Sequence, residues 1–166
     1  KTAYTYDHNG NLTTLARNDD AGVLMDDFTY SYNNDGLGNP INQLNHVTDA
    51  VVGSVQTTDL ESQSSNNYTY DENGQLVKDV AEGIKTIEWT VNNKNKSIER
   101  TGAMINGSYP CDFEFFYAPS GNRTMKVEKP PDASAEKSQT DEITTYYVRD
   151  ATVMLMIPYQ LAQGPL

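Results

Sequence analysis

The sequence has little cysteine, little histidine and few positive charges. It contains one cysteine, two histidines and 12 basic residues against 23 acidic ones, which gives a net charge of −11. The single Cys111 excludes an intrachain disulfide and a cysteine-rich zinc site, and we expect its thiol to be half-buried. The negative charge repels phosphate backbones and anionic headgroups, so nucleic acid and anionic membranes are disfavoured as partners.

Long apolar runs and helical spacing are also missing. No run approaches the length that spans a bilayer, so membrane insertion is not expected. Apolar residues recur at helical intervals only weakly, at Leu155–Leu161. The hydrophobic fraction is 37%, yet the chain has 11 tyrosines, four phenylalanines and one tryptophan. Because aromatic residues favour half-buried strands, this composition predicts an all-β fold.

What the sequence does have is a repeated phrase. The pattern Tyr-x-Tyr-Asp-x-Asn-Gly-x-Leu occurs at Tyr4–Leu12 and again at Tyr68–Leu76. Tyrosines at alternate positions predict a strand with one apolar face. The aspartate that follows can accept backbone N–H groups, Asn-Gly tolerates positive φ, and the leucine begins a return strand. Each copy therefore predicts a β-hairpin.

Looser copies continue the pattern along the chain. Alternating strands are predicted around Phe28–Tyr32, Ile84–Val91, Phe113–Tyr117 and Thr144–Met156. Turns are predicted at Asn33–Gly36 and Asn92–Lys96, and the second lacks glycine, so we expect a different turn type there. Residues 1–166 are thus predicted to form a single repeat region of about five or six consecutive antiparallel hairpins, with polar loops near 53–67 and 129–142.

The positions that define the copies are predicted to be structural. They are Tyr4, Tyr6, Asp7, Gly10, Leu12, Tyr68, Tyr70, Asp71, Gly74, Leu76, Tyr117, Gly121 and Arg123. A row of consecutive hairpins also has unpaired terminal strands, which tend to pair with another chain. We therefore expect a larger native protein or an oligomer. Because the sequence starts at Lys1 without methionine, we also expect the native N-terminus to lie upstream.

Three groups of residues could carry chemistry, and each has a simpler interpretation. Asp7 and Asp71 resemble oxygen-rich calcium loops, but no distal glutamate is correctly spaced, and an aspartate that caps a turn explains the same pattern. His8 and His46 have no nucleophile at a recognisable spacing. Adjacent acidic residues could imitate the carboxylate pair of a glycosidase, but neighbours in a strand or turn point to different sides. These pairs are Asp19-Asp20, Asp26-Asp27 and Asp71-Glu72. We therefore predict no catalytic, cofactor-binding or metal-binding residues, and no enzymatic activity.

The tyrosine ladder has two interpretations. Buried aromatic pairs across strands would stabilise the sheet. Exposed on a groove, the rings of Tyr30, Tyr32 and Trp89 would suit sugar rings, with nearby Asn and Asp bonding to hydroxyls. The structural interpretation is favoured because the repeat itself requires alternating aromatics.

The phrase resembles the YD repeat of the Rhs family. The resemblance is carried by Tyr6-Asp7 with Gly10 and Leu12, and by Tyr70-Asp71 with Gly74 and Leu76. Ser120–Arg123 resembles the Gly-Asn-Arg triplet of later repeats, and Thr145–Thr152 resembles the strand that precedes the family's core. The stretch that begins at Asn73 is similar to versions common in gut Bacteroidetes, so the chain resembles a fragment lying ahead of the Rhs core.

This resemblance implies a long hairpin ribbon that spirals into a shell, which in bacterial toxins encloses a toxic polypeptide and in teneurins forms an adhesion platform. After Thr152 the chain departs from the family, and the self-cleavage signature of the core is absent. The function implied is a non-catalytic structural or encapsulating module of a bacterial cell-envelope or secreted protein. The alternative is a carbohydrate- or cell-surface-binding adhesion module. The partners implied are the rest of a longer Rhs-type polypeptide, a second copy joined through sheet edges, or glycans.

Overall fold

The protein is all-β. The computed structural model describes residues 1–51, 60, 62–105, 107, 109–130, 142–149 and 154–160, and within them it has strands and turns but no helix. The chain divides into two compact units, Lys1–Leu76 and Val77–Leu166. No helix in the described ranges has the length and apolar character that crossing a bilayer requires.

The described residues form twelve strands in two antiparallel sheets. In chain order the strands are β1 (Thr2–Tyr6), β2 (Leu12–Asn18), β3 (Leu24–Asn34), β4 (Pro40–Asp49), β5 (Tyr68–Tyr70), β6 (Leu76–Asp79), β7 (Ile84–Trp89), β8 (Asn95–Arg100), β9 (Asp112–Tyr117), β10 (Arg123–Lys129), β11 (Ile143–Arg149) and β12 (Met154–Gln160). One sheet has the order β1-β2-β3-β4, and the other runs from β12 to β5 in descending order. Neighbours in each sheet are neighbours in sequence, as consecutive hairpins require.

One turn recurs throughout the chain. In the first copy, Asp7 N donates to Asn11 O at 2.9 Å and Gly10 N donates to Asp7 O at 3.1 Å. Gly10 has a φ of 82°, so this is a type I turn followed by a left-handed residue. The same pair of bonds recurs in the described residues at 19–23, 35–39, 71–75, 90–94 and 118–122.

Two predicted turns differ in position or type from the structure. The turn between β3 and β4 runs from Asp35 to Asn39, and Gly38, with a φ of 86°, takes the left-handed position that Asn33–Gly36 was expected to supply. The turn before β8 lacks glycine but is of the same type as the others. Asn93 adopts a φ of 57° there, because asparagine tolerates the left-handed region better than most residues.

Among the described residues, few apolar side chains are fully buried in either unit. Phe28 and Val47 are buried in the first unit, and Ile87 and Val127 are buried in the second. Phe28 lies opposite Leu15 on one side and Asp49 on the other in the strand register. Most other inward residues are half-buried, so each sheet keeps one partly solvated face.

The end of the predicted polar loop 53–67 is more buried than its composition suggested. Gln63 is 9% exposed and Asn67 is 2% exposed, so the expectation of little to bury is wrong here. Gln63 N donates to Val47 O at 2.8 Å, and its Oε1 accepts from Val47 N at 3.0 Å. A single glutamine therefore pairs with β4 as a neighbouring strand would. The rest of this loop, at 52–59 and 61, and residues 131–141 of the second loop lie outside the described residues.

The C-terminal helical signal is also wrong. Residues 154–160 form β12, which pairs with β11 from Ile143↔Gln160 to Arg149↔Met154. Tertiary pairing with β11 outweighs a weak apolar spacing that fitted a helix as well as a strand. Leu161 and the segment 150–153, which carries part of the family resemblance, lie outside the described residues.

Candidate functional site

The aspartates of the repeat cap their turns. Asp7 Oδ1 accepts from Asn9 N and Asn11 N, both at 2.8 Å, and Oδ2 accepts from Asn11 Nδ2 at 2.9 Å. The bond from the Asn11 side chain, followed by the backbone donors, holds the pKa of Asp7 below its ordinary value. Asp71 makes the same backbone contacts with Asn73 N at 2.9 Å and Gln75 N at 2.8 Å. The turn-capping interpretation is confirmed for both aspartates.

Two acidic pairs of the sequence have separate structural roles. Asp19 is the first residue of a repeat turn, where its Oδ1 accepts from Val23 N at 2.8 Å. Asp26 is fully buried in β3 and forms an ion pair with Arg17 of β2, whereas Asp27 is exposed. Within the described residues, no cluster of His, Cys, Asp and Glu could hold a metal ion.

The two histidines and the cysteine lie on separate elements of the chain. His8 is exposed in the first turn, and His46 in β4 has Nδ1 at 2.8 Å from Asn45 Oδ1. Cys111 is half-buried as expected, and burial, reinforced by the nearby carboxylates of Glu128 and Asp112, raises the pKa of its thiol. A raised thiol pKa disfavours the thiolate, which is the reactive form.

Tyrosine hydroxyls join successive strands. Tyr32 on β3 donates to Leu12 O of β2 at 2.9 Å, and Tyr117 on β9 donates to Asn95 O of β8 at 2.9 Å. Tyr70 on β5 donates to Leu44 O of β4 at 3.0 Å. In each case a tyrosine close to a turn bonds the main chain of the strand that precedes its own. This rule was not foreseen from the sequence, which indicates ring alternation but not the destination of a hydroxyl.

Removing one of these hydroxyls should weaken the fold measurably. Tyr32→Phe is expected to lower the free energy of unfolding by about 0.5 to 1.5 kcal/mol, because Leu12 O loses its donor in a half-buried place. Urea denaturation measures the change. Tyr4→Phe is the matched control, since Tyr4 is 60% exposed, and its stability should stay within a few tenths of a kcal/mol. Equal effects of the two changes would contradict the rule.

The first tyrosines of the chain are placed differently from the others. Tyr4 is 60% exposed and Tyr6 is 59% exposed, and their rings pack edge to face with centroids 5.7 Å apart. Tyr6 directly precedes the Asp7 turn, as Tyr70 precedes Asp71. No described strand pairs with the outer side of β1, and among the described residues the Tyr6 hydroxyl has no hydrogen-bond acceptor.

The three aromatics predicted as ligand contacts are all half-buried. Tyr30 and Tyr32 lie on β3, and Trp89 ends β7. Burial raises the pKa of both tyrosine hydroxyls. Tyr68, Leu12 and Leu76 of the repeat signature are likewise half-buried, and the Tyr68 hydroxyl accepts from Gln63 Nε2 at 2.9 Å.

A cavity of about 470 Å³ lies in the second unit beside Arg123. The guanidinium carbon of Arg123 lies 4.3 Å from the ring centroid of Phe115, 5.8 Å from that of Tyr117 and 5.9 Å from that of Tyr147. Lys94 Nζ donates to Gly121 O and lies 5.3 Å from the Tyr117 ring centroid. Two cations thus contact the Tyr117 ring, close to the repeat turns 90–94 and 118–122.

Some residues of this cavity had roles predicted from the sequence, but it was not predicted that they lie together. Tyr117, Gly121 and Arg123 appeared as repeat positions, whereas Lys94 and Tyr147 had no assigned role. Strand register brings them together, because β8, β9, β10 and β11 are adjacent. Gly121 has a φ of 80°, and a Cβ there would lie 3.1 Å from Lys94 Nζ, so the absence of a side chain leaves room for the lysine.

In comparisons with known proteins, no family model matches this chain, and no curated protein matches it. The resemblance to the YD repeats of the Rhs family therefore rests on the motifs of the sequence itself.

Proposed function

We propose that this chain is a non-catalytic structural module, a section of a β-hairpin array of the Rhs type in a bacterial cell-envelope or secreted protein. The observation that carries the proposal is the set of hydrogen bonds that the repeat residues form. Aspartates are used in capping turns and tyrosine hydroxyls in bonding the preceding strand. The aspartates thus shape each turn, and the hydroxyls of Tyr32, Tyr70 and Tyr117 join one hairpin to the preceding one, which is what a repeat array requires.

The outer side of β1 supports continuation of the array. Tyr6 has the same position relative to its turn as Tyr70 and Tyr117, whose hydroxyls bond the preceding strand. At β1 that position faces no described neighbour. A strand of an adjoining hairpin, placed antiparallel beside β1, would supply both backbone partners and an acceptor for Tyr6.

Edge pairing is tested by self-association of the purified chain. If β1 accepts a strand, sedimentation velocity should show association that grows with concentration. Replacing both Tyr4 and Tyr6 with lysine should suppress it, because charged residues on an edge oppose strand addition. Leu37→Lys is the matched control: Leu37 is 89% exposed in a turn, and this variant should associate like the unmodified chain.

A chain that remains monomeric at every concentration would count against edge pairing, as would association that the lysine variants leave unchanged. The length of the native polypeptide, measured with an antibody against this segment, separates the two candidate functions. A much longer species supports a section of an array. A short species at the cell surface supports the alternative, an adhesion module that binds glycans through Tyr30, Tyr32 and Trp89.

A further inference from the structure

Two positively charged side chains line one cavity of this acidic protein. The chain has a net charge of −11, yet Lys94 and Arg123 both line the cavity of about 470 Å³, and none of the described lining residues is acidic. The volume lies within the range of pockets that hold small molecules. Two cations without a lining carboxylate indicate that an anion would be favoured there.

Arg123 is fixed in place but incompletely bonded. Its Nε is buried without a hydrogen-bond partner, and Nη2 reaches the Tyr117 hydroxyl at 3.5 Å, the long limit of such a bond. Burial acts to lower the pKa of Arg123, but bonding with the Tyr117 and Tyr147 hydroxyls outweighs it and holds the pKa above its ordinary value. Two phenol oxygens are too few acceptors for the five N–H donors of a guanidinium.

The second cation has donors to spare as well. An ammonium has three N–H donors, and Lys94 Nζ uses one of them on Gly121 O. Both cations contact the Tyr117 ring, and both line the same cavity. A planar carboxylate matches the fork of arginine and can accept from a lysine at the same time.

The rest of the lining suits a polyhydroxylated molecule. Asn93 and Asn122 line the cavity, and each carries a side-chain amide, a group that can both donate and accept hydrogen bonds. Asn122 Nδ2 also donates to Ser120 Oγ at 3.1 Å. Tyr117 and Tyr147 contribute aromatic walls with hydroxyls at their tips. Amides that bond hydroxyls, beside rings that pack on the apolar face of a pyranose, are the groups that a sugar needs.

We propose that this cavity binds a sugar carrying a carboxylate, of the uronic acid class, with the carboxylate at Arg123 and Lys94 and the hydroxyls at Asn93 and Asn122. The site is independent of the structural function proposed above: a hairpin array with a filled or an empty cavity would associate through β1 in the same way. It also differs from the glycan surface predicted at Tyr30, Tyr32 and Trp89.

The test is a titration of the purified chain with galacturonate, followed by calorimetry and by backbone amide shifts. Saturable binding is expected at low ionic strength, and it should weaken as salt screens the charges. Lys94→Gln should weaken binding by about tenfold or more, since it removes a charge-assisted hydrogen bond. Galactose, the neutral counterpart, should not saturate the site.

Lys96→Gln is the matched control. Lys96 lies two residues further along, is 62% exposed and forms an ion pair with Glu88, so its loss lowers the overall charge equally without altering the cavity. Affinity should remain within about twofold of the original, because exposed charges interact weakly. Equal effects at Lys94 and Lys96 would show a diffuse charge effect and overturn the site.

Three further outcomes decide the ligand class. No saturable binding of galacturonate, equal binding of galactose, or tighter binding of inorganic phosphate than of galacturonate would each overturn the proposal. Arg123→Gln removes the guanidinium directly, but its stacked position makes it a risk to folding. The Lys94 variant therefore carries the test, with thermal melting as the check that both lysine variants are folded.

Discussion

Replacing Arg17 with methionine is expected to lower the free energy of unfolding by about 2 to 3 kcal/mol, a larger loss than removal of the Tyr32 hydroxyl should cause. Arg17 on β2 lies opposite Asp26 on β3 in the strand register. Its Nε bonds Asp26 Oδ2, and its Nη2 bonds Asp26 Oδ1 at 3.3 Å. Methionine keeps the length of the side chain but leaves a buried carboxylate without its cation.

The size of the effect follows from unequal burial. The Asp26 side chain is 0% exposed, whereas that of Arg17 is 44% exposed. Breaking a fully buried pair costs about 3 to 5 kcal/mol, but water that reaches the arginine side screens part of the interaction. The expected change is therefore somewhat smaller, and urea denaturation measures it.

An exposed pair provides the control. Lys85 and Glu99 form an ion pair with side chains 58% and 48% exposed. Lys85→Met should change stability far less than Arg17→Met, since exposed pairs contribute little. Adding Asp26→Asn to Arg17→Met should recover part of the loss by removing the unpaired charge. If Arg17→Met is as mild as Lys85→Met, the buried pair does not stabilise the first unit.

Two glycines in one turn should respond in opposite directions to alanine. Gly38→Ala is expected to destabilise the protein by about 1 to 2 kcal/mol, because a Cβ opposes the left-handed conformation. Gly36 does not have a positive φ, and a Cβ there meets nothing within 4 Å. Gly36→Ala should therefore be neutral or stabilise by up to about 1 kcal/mol, through the lower entropy of the unfolded chain.

The pair of variants separates backbone strain from steric crowding. A Cβ at Gly38 also has open space around it, with a φ of 86° as the remaining obstacle. Thermal melting of both variants gives the comparison directly. Equal destabilisation by the two alanines would contradict the turn from Asp35 to Asn39, and loss of stability only at Gly36 would restore the turn expected at Asn33–Gly36.

The sequence allowed the strands to be predicted better than the turns. Alternation at Phe28, Tyr30 and Tyr32 indicated β3 because side chains of a strand alternate between two faces. The turn at Asp35 was misplaced because two glycines lie near it, and only the spacing Asp-x-x-Gly selects Gly38. The spacing Asp-x-x-Gly also occurs at Asp19–Gly22, where no tyrosine precedes it. A search for this spacing alone would have predicted the turn there, whereas Asp19 was considered only as part of an acidic pair.

The candidate site could not be predicted because it depends on register. Lys94 and Arg123 are far apart in sequence, and each belongs to a different hairpin. Their meeting at Tyr117 depends on how β8, β9 and β10 align, which local patterns do not specify. The burial of Gln63 was missed for a related reason: it packs on the side of β4 that faces away from β3, and this side can be identified only when the strand order is known.

The pairing of Gln63 with Val47 makes the two edges of the four-stranded sheet different. At β4, one side-chain amide and one peptide N–H satisfy both main-chain groups of Val47, and Ser62 Oγ bonds both Asp49 N and Asp49 O, so the outer side of β4 is occupied at these two residues. At the other edge, no described strand pairs with the outer side of β1. Within the described part of the chain, a further strand that joins this sheet would therefore pair beside β1 and not beside β4 at these positions.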